Sequence, residues 1–476
     1  MTATHQFTQK EVDSFAELSG DWNPLHTNPV VARRTSFGGC VVHGVLVLLR
    51  ALEYAQGGSC MGGSWQSISA RFLRPVQSGT TVTIICHEKS GAGLLVTVAD
   101  ASRTLAQFDI TSSADEHDMA QSGYVIQSSP PRESPENPAY DVISAGSHPL
   151  SLYWSAELGF LLFPVLAQMQ PHSTLAALLA ATRVIGMKMP GEHSVFLQLE
   201  LDFTPAPAER EAFSFCLEEF RRSSQRLGIA VTGKVCRGKL WALRRPEPVK
   251  QLCFAAVKLR IPHDRFAGRH VIVIGGSRGL GEIAAKVLAA GGADVVIGYR
   301  LGAQDAAAVV DDIVICGGKA TALKIDVAND DWRSVLEQLP PAFDHVCYFA
   351  TPPISEGDGR SFNEMLFRNF HDVYVTGLVN MAQHLADRTK GRFGLFNASS
   401  IYVEDPPLRH LEYASAKAAS EACCRWLTTV YPDSRIHVAR FPRLLTDQTA
   451  SFVKPATDDA LDFVNAEISK WLPDPM

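Results

Sequence analysis

The chain is predicted to fold as two similar α+β units followed by a doubly wound parallel α/β unit. Three observations carry this. In the first half, one long apolar helical segment is followed by a meander of alternating strands, and this order occurs twice. A stretch rich in Ser, Pro, Asp and Glu separates the two occurrences. From Arg269 onward, apolar strands alternate with helical patterns.

The first unit spans residues 1–112. Helix signals begin near Phe7, an apolar segment runs from Val41 to Ala55, and strands are expected at Ser67–Leu73, Thr80–His87, Leu94–Ala99 and Thr104–Ile110. Residues 113–149 read as a flexible linker because of runs such as Ser128-Ser129-Pro130-Pro131-Arg132-Glu133. The second unit, residues 150–246, repeats the order in degraded form. It has a helical run at Leu175–Met187 and strands at Val195–Phe203, Ala212–Glu219, Gly228–Val235 and Lys239–Leu243. A local match supports duplication: Arg71-Phe72-Leu73-Arg74-Pro75 ends the first meander strand of one copy and Leu201-Asp202-Phe203-Thr204-Pro205 that of the other. Two such units can pair edge to edge into one sheet, which removes exposed edges, so a pseudo-dimer is expected.

After a linker at 247–267, opened by Arg245-Pro246-Glu247-Pro248, the third unit occupies residues 268–476. Its strands are expected at His270–Ile274, Asp294–Ile297, Ala320–Ile325, His345–Ala350, Gly394–Ala398 and Arg435–Arg440. No final strand is evident before Met476.

Composition narrows the function. With 476 residues, 46% hydrophobic and 20% charged, the chain can bury several cores. A net charge of −6 without a Lys/Arg run argues against nucleic acid as a partner and for a small-molecule ligand. The apolar stretch from Leu158 to Leu166 is too short to cross a bilayer and no export signal stands at the start, so neither membrane nor secretion is expected. Ten cysteines lack metal-type spacing, and a bridge between adjacent Cys423 and Cys424 would be strained. They read as buried thiols in a reducing cytoplasm, with no metal site.

In the first unit, Gly20-Asp21-Trp22-Asn23-Pro24-Leu25-His26 precedes Phe37-Gly38-Gly39 and Val42-His43-Gly44 at the start of the apolar helix. Adding water to a 2-enoyl thioester needs a base for water and an acid for C2, and a carboxylate and an imidazole can meet across a Pro-fixed turn. Asp21 and His26 are the candidates. Charge developing on the thioester oxygen needs donors, which the free N–H groups of a helix start supply, and Gly44 there would let a ligand approach. His43 reads as a structural support. The arrangement resembles the MaoC-like family of (R)-specific enoyl thioester hydratases over residues 5–110. The resemblance implies a hot-dog fold, here doubled, an acyl-CoA or acyl carrier protein substrate, Asp21 and His26 as catalytic pair, and Gly44 polarising the carbonyl. The second copy has no Asp/Asn-Pro/His turn between Leu150 and Gly191 and resembles a half that has lost its chemistry.

In the third unit, Ile272-Val273-Ile274-Gly275-Gly276-Ser277-Arg278-Gly279-Leu280-Gly281 follows a strand and opens a helix, the setting in which backbone N–H groups hold a pyrophosphate. Ser399-Ser400 and Tyr413-Ala414-Ser415-Ala416-Lys417 follow, placing Tyr413 and Lys417 on one helix face. Carbonyl reduction needs a proton donor at the oxygen, and a phenol beside an ammonium can serve near neutral pH. Ser400 is expected to hold the substrate oxygen, Tyr413 to exchange the proton, and Lys417 to lower the phenol pKa and bind the nicotinamide ribose. These motifs resemble the short-chain dehydrogenase/reductase family over residues 268–450, which implies a Rossmann-like fold. Tyr299-Arg300 stand where an acidic residue would hold the ribose hydroxyls of NAD, and with Arg278 they favour NADP(H) over NAD(H). Asp326-Val327 resembles the family's adenine contact, and Ala350 begins the segment after the fourth strand. That segment departs from the family's Asn-Ala-Gly, reading Ala350-Thr351-Pro352-Pro353, and Tyr374 takes the place of the relay Asn.

A hydratase and a ketoreductase act on adjacent thioester intermediates, and tethering raises the effective concentration of the second site. The pairing resembles, in reverse order, the dehydrogenase-hydratase fusion of peroxisomal β-oxidation, and the dehydratase-then-ketoreductase order of polyketide modules. The leading expectation is a bifunctional dehydratase and ketoreductase. The alternative keeps only the hydratase active and makes the C-terminal unit a nucleotide-binding or assembly module. A homodimer is compatible with either.

Overall fold

The computed structural model describes all residues except 59, 90–92, 102, 114–125, 139–145, 204–210, 330, 355–356, 358, 451–458 and 474–476. Two compact units emerge, Met1–Glu247 and Pro248–Met476. Thr204-Pro205 of the internal match lies outside the described residues.

In the first unit, β1 (Thr2–Gln6), β2 (Ser64–Phe72), β3 (Thr81–Lys89), β4 (Gly93–Ala99) and β5 (Thr104–Ser113) are joined by β6 (Ser194–Asp202), β7 (Ser214–Arg221), β8 (Arg226–Thr232) and β9 (Arg237–Arg244). They form one antiparallel sheet in the order β1-β3-β4-β5-β2-β6-β9-β8-β7, with a two-residue strand at His148–Pro149 on its last edge. The halves meet where β2 pairs with β6, Ser67 opposite Asp202 through Arg71 opposite Gln198. That pairing satisfies two rows of backbone groups that would otherwise be open edges. Strand alternation sends Val82, Ile84, Leu94, Val96, Val98, Phe108 and Ile110 into the core.

Against this sheet pack α1 (Gln9–Ser19), α2 (Gly44–Gly57) and α3 (His172–Arg183), whose buried residues share one core with it. Helix α2 is apolar nearly all round because it is buried nearly all round. Its one carboxylate, Glu53, accepts from the N–H groups of Val165 (2.8 Å) and Leu166 (2.9 Å), capping a short helix of the other half. The helix begins at Gly44, three residues later than the apolar segment, because Val41 is held in a bridge to Gln77. The edge strand β1 has no counterpart in the sequence-based expectation: five residues with three exposed carry little pattern until Thr2–Gln6 is laid on Ile85–Thr81.

The stretch read as a flexible linker docks where it is described. Pro130 packs on Gly20, Arg132 lies 4.1 Å over the Trp22 ring, and Glu136 exchanges backbone bonds with Met187 and Glu192. Lys188 adds ion pairs to Glu133 (3.1 Å) and Glu136 (2.8 Å). Its polar composition reads as solvated chain because its partners lie far away in sequence.

In the second unit, β10 (His270–Ile274), β11 (Asp294–Tyr299), β12 (Lys319–Lys324), β13 (His345–Tyr348), β14 (Gly394–Ser400) and β15 (Arg435–Phe441) form a parallel sheet in the order β12-β11-β10-β13-β14-β15. Val271 and Val273 enter one core while Ile272 and Ile274 enter another, so both faces of the sheet are covered. The covering helices include α4 (Gly279–Ala290), α5 (Ala303–Ile315), α6 (Leu378–Thr389), α7 (Leu411–Val430) and α8 (Ala460–Trp471). Strand order reverses between β10 and β13, which opens a crevice at the carboxyl ends of the strands.

None of the ten cysteines is bridged. The expectation that they are buried thiols holds for Cys40, Cys86, Cys236, Cys347 and Cys424, whereas Cys253 is exposed and the rest are half-buried. Among the described residues, no helix is long and apolar enough to cross a membrane.

Candidate functional site

In the first unit, helix α1 ends at Gly20, whose φ of 75° turns the chain sharply, and Asp21 follows. Asn23 caps the short helix Pro24–Thr27 by accepting from Leu25 N–H at 3.0 Å. Its amide also donates to the carbonyls of Gly186 (2.8 Å) and Gly191 (3.0 Å), tying the turn to the second half. His26 lies one turn on. Its Nδ1 sits 2.6 Å from the Val41 carbonyl, which requires the ring proton there and leaves Nε2 as the bare base.

Asp21, His26 and His43 each bring a side-chain donor or acceptor atom within 4.8 Å of the others. His43 is fully buried, stacks on His26 with ring centroids 3.8 Å apart, and meets the Asp21 carbonyl at 3.0 Å through Nε2. That is a supporting role. Burial pushes the Asp21 carboxyl up, against the lowering influence of His26, Thr182 and the Asn23 backbone. Burial likewise pulls His26 down, opposed by Asp21, and holds His43 well below its ordinary range. A carboxyl inclined to keep its proton therefore faces an imidazole inclined to lack one.

Asp21 and His26 line a largely apolar pocket with Leu25, Phe37, Val47, Phe72 and Ile185. Gly44 lines it too, as the first residue of α2, and His43 before it provides no side-chain cap, so the helix-start N–H groups remain available. The reason for glycine differs from the expected one. A Cβ on Gly44 would stand 3.0 Å from the Phe72 ring, so it is the aromatic wall, as well as a ligand, that claims the space.

Sequence reasoning missed the contribution of α3. Thr182 donates to Asp21 Oδ2 at 2.8 Å, and a Cβ on Gly186 would lie 2.1 Å from Asp21 Oδ1. The four-residue spacing of Thr182 and Gly186 marks a shared helix face, but nothing in it names a partner 161 residues away.

In the second unit, the Gly-rich turn leaves β10 and enters α4. Gly275 has a φ of 78° and its amide bonds the Gly298 carbonyl at 2.9 Å. A Cβ on Gly281 would lie 2.2 Å from the Gly275 carbonyl, and one on Gly275 would strike Phe349 and the Ala350 nitrogen. The Arg278 side chain does not cap α4, so the first N–H groups of that helix can meet a phosphate. This bare backbone cradle fits a dinucleotide pyrophosphate. Gly281→Ala is expected to close this cradle to a dinucleotide and to lower the unfolding temperature of this unit, an overpacking cost of about 1–3 kcal/mol. Calorimetry with and without added dinucleotide measures both.

Ser277 lies beside Gly279-Leu280 in the same turn, near Gly302 after β11. Tyr299 is half-buried at the end of β11 and Arg300 is exposed. Asp326 spends its carboxylate on Ala328 N–H (3.2 Å) and Asn329 Nδ2 (2.9 Å), while Val327 is buried beside Gly377. Thus Gly275, Arg300, Asp326, Val327, Ala350 and Ser400 all stand at the carboxyl edge of the sheet.

The Tyr413 hydroxyl bonds Ser400. Lys417, however, is not the neighbour expected of it. Its ammonium donates to the Ala398 carbonyl at 2.6 Å and lies 3.8 Å over the Tyr374 ring, but 5.9 Å from the Tyr413 ring centroid. Burial pushes Tyr413 up to about 12, eased by Ser400, and pulls Lys417 down to about 7. The expectation that Lys417 depresses the phenol is corrected here: the aromatic face of Tyr374 and a carbonyl hold the ammonium instead. Tyr374 in turn is hydrogen-bonded to Thr351, so the two departures from the family pattern are one contact.

Residues 2–97 match the family model of the MaoC like domain, and residues 269–450 that of the short chain dehydrogenase. A 44-residue stretch is 46% identical to the mitochondrial 3-hydroxyacyl-[acyl-carrier-protein] dehydratase of Arabidopsis thaliana, covering 9% of this chain and 26% of that protein. Over 185 residues the chain is 29% identical to 3beta-hydroxysteroid dehydrogenase 1 of Eggerthella lenta, covering 37% of this chain and 70% of that one. A solved 3-oxoacyl (acyl-carrier-protein) reductase from Agrobacterium tumefaciens C58 with NADP bound aligns at 24% identity over 40% of this chain and 75% of that one, with a TM-score of 0.36.

Proposed function

We propose that this chain, in which a MaoC-like domain precedes a short chain dehydrogenase domain, is a bifunctional enzyme of acyl thioesters. It is an (R)-3-hydroxyacyl-CoA or acyl carrier protein dehydratase joined to an NADP-dependent 3-ketoacyl thioester reductase. On this reading the first unit is a double hot-dog with one active half. The observation that carries the proposal is the meeting of buried Asp21 with His26 within 4.8 Å, with His26 Nδ1 turned to the Val41 carbonyl, beside a start of α2 that no side chain caps.

In dehydration, the thioester oxygen accepts from the N–H groups at Gly44, which stabilises the charge that grows when C2 loses its proton. His26 Nε2 takes that proton, Asp21 gives one to the departing 3-hydroxyl, and water leaves as the 2,3 double bond forms. A proton passed from His26 to Asp21 restores both groups, and hydration is the reverse.

In the second unit, the Gly275–Gly281 cradle would hold NADPH, which when bound would supply hydride for a 3-ketone. Ser400 and Tyr413 hold the ketone oxygen and Tyr413 gives its proton, while Arg300 meets the 2′-phosphate. Arg300→Ala is expected to weaken NADPH binding about 10- to 100-fold, the worth of one charge-assisted hydrogen bond, and to leave NADH unchanged. Fluorescence titration with both nucleotides reads the difference.

A second reading, nucleotide binding without turnover, is favoured by one observation: Lys417 rests on Tyr374 and Ala398 rather than on Tyr413. Following NADPH absorbance with acetoacetyl-CoA and with a carrier-protein-bound analogue decides between them. Oxidation of NADPH supports the bifunctional enzyme. Binding of NADPH with no oxidation by either thioester leaves a dehydratase with a nucleotide-binding module.

A further inference from the structure

We infer that Thr182 is a positioning residue for Asp21, so that the second half of the first unit, which lacks an Asp-Pro-His turn of its own, completes the dehydratase site. The inference rests on the reading of Asp21 and His26 given above. Thr182 is buried, and its hydroxyl donates to Asp21 Oδ2 at 2.8 Å from the far side of the pocket that both residues line. The other carboxylate oxygen, Oδ1, accepts from Asn23 N–H at 3.3 Å and lies against Gly186, where any side chain would displace it. A third contact runs the opposite way, from Asn23 Nδ2 to the Gly186 carbonyl at 2.8 Å.

These contacts come from a single face. Thr182 and Gly186 are four residues apart, across the junction where α3 passes into a wider π-helical turn at Val184–Lys188. One residue donates to the carboxyl, the other makes room for it, and the same backbone anchors the turn that carries it. A carboxyl on a loop with free χ angles would sample several orientations toward His26; held at both oxygens it has one. The second half has kept this part of the site while losing its own acid and base.

The test uses the full chain and hydration of crotonyl-CoA. Thr182→Val keeps the side-chain shape and removes the donor. It is expected to lower kcat about 10- to 100-fold with KM changed less than about twofold, because the contact orients the catalytic group and leaves substrate binding untouched. Losing a donor to the carboxylate disfavours its charged form, so the limb of the pH–rate profile governed by Asp21 should move up by about one pH unit. Thr182→Ser, which restores the hydroxyl, should recover most of the rate and the original profile. If Thr182→Val does not fold, Thr182→Cys, with a weaker donor of similar size, should show the same shift. Loss of thermal stability with unchanged kcat per folded molecule and an unmoved profile would overturn the inference. Failure of the underlying reading looks different: no hydration by the wild-type chain, or hydration that survives Asp21→Asn.

Discussion

Replacing Asp21 by Asn is expected to lower kcat for crotonyl-CoA hydration about 10²- to 10⁴-fold, the usual loss when a positioned acid or base is removed. The change is nearly isosteric, so the amide still occupies the space against Gly186 and can still accept from Thr182. Secondary structure and unfolding temperature should therefore stay close to wild type, which separates lost chemistry from lost fold. His26→Ala should cost a similar factor, and the double variant little more, because two groups that act as one unit are not additive. The pH dependence has a definite sign. Burial holds His26 below its ordinary value of 6.5, so the imidazole stays neutral through neutral pH and takes up a proton only as pH falls through the lowered value. A pair that needs His26 neutral and Asp21 protonated gives a rate that declines on the acid side as His26 takes up a proton and on the alkaline side as Asp21 loses its own, the raised carboxyl setting that second limb above the ordinary carboxylate range. Hydration unchanged in both single variants would make the first unit a thioester-binding module.

The second large effect is expected of Tyr413→Phe: loss of NADPH oxidation with a 3-ketoacyl thioester by about 10²- to 10⁴-fold, with NADPH affinity retained. The phenol is the group whose hydroxyl meets Ser400 at the end of β14, and removing one oxygen leaves the aromatic contacts to Phe370 and Tyr374 in place. Its chemistry is demanding, since burial pushes the phenol up to about 12. Lys417, at about 7, is charged below that pH and loses its proton above it. If the ammonium supports proton transfer, the rate should fall as pH rises through about 7 and should not fall on the acid side for this reason. Stopped-flow absorbance on wild type and Tyr413→Phe across this range measures both. Equal rates in the two proteins would remove Tyr413 from the chemistry, and the absence of turnover in both would leave a nucleotide-binding unit.

Much of the architecture was legible in local patterns, for a reason that differs between the two units. The parallel sheet of the second unit buries both faces, so its strands stand out as short apolar runs such as Val271–Ile274 between helical stretches. The Gly-rich turn is legible because close backbone approaches, such as Gly281 on Gly275, can be met by one residue type only. In the first unit, alternation at β3, β4 and β5 marks strands with one face in the core. The edge strand Thr2–Gln6 and the docked stretch around Pro130–Glu136 left no such mark, since their hydrogen bonds and packing partners lie far along the chain.

From the sequence alone came the order of elements and the residues capable of chemistry: Asp21 and His26 across a Pro-containing turn, Ser400 at the end of a strand, Tyr413 and Lys417 at helical spacing, and a cationic end to β11 at Arg300. Those follow from periodicity and from side-chain type, which are local properties. Only the tertiary structure decided that Thr182 and Gly186 of the second half clasp the Asp21 carboxyl, that Phe72 stands over Gly44, and that Tyr374 draws Lys417 away from Tyr413. Each of these is a contact between segments distant in the chain. Burial then sets how strongly each such contact acts, by stripping water from the charged forms of the carboxyl, the imidazole, the phenol and the ammonium.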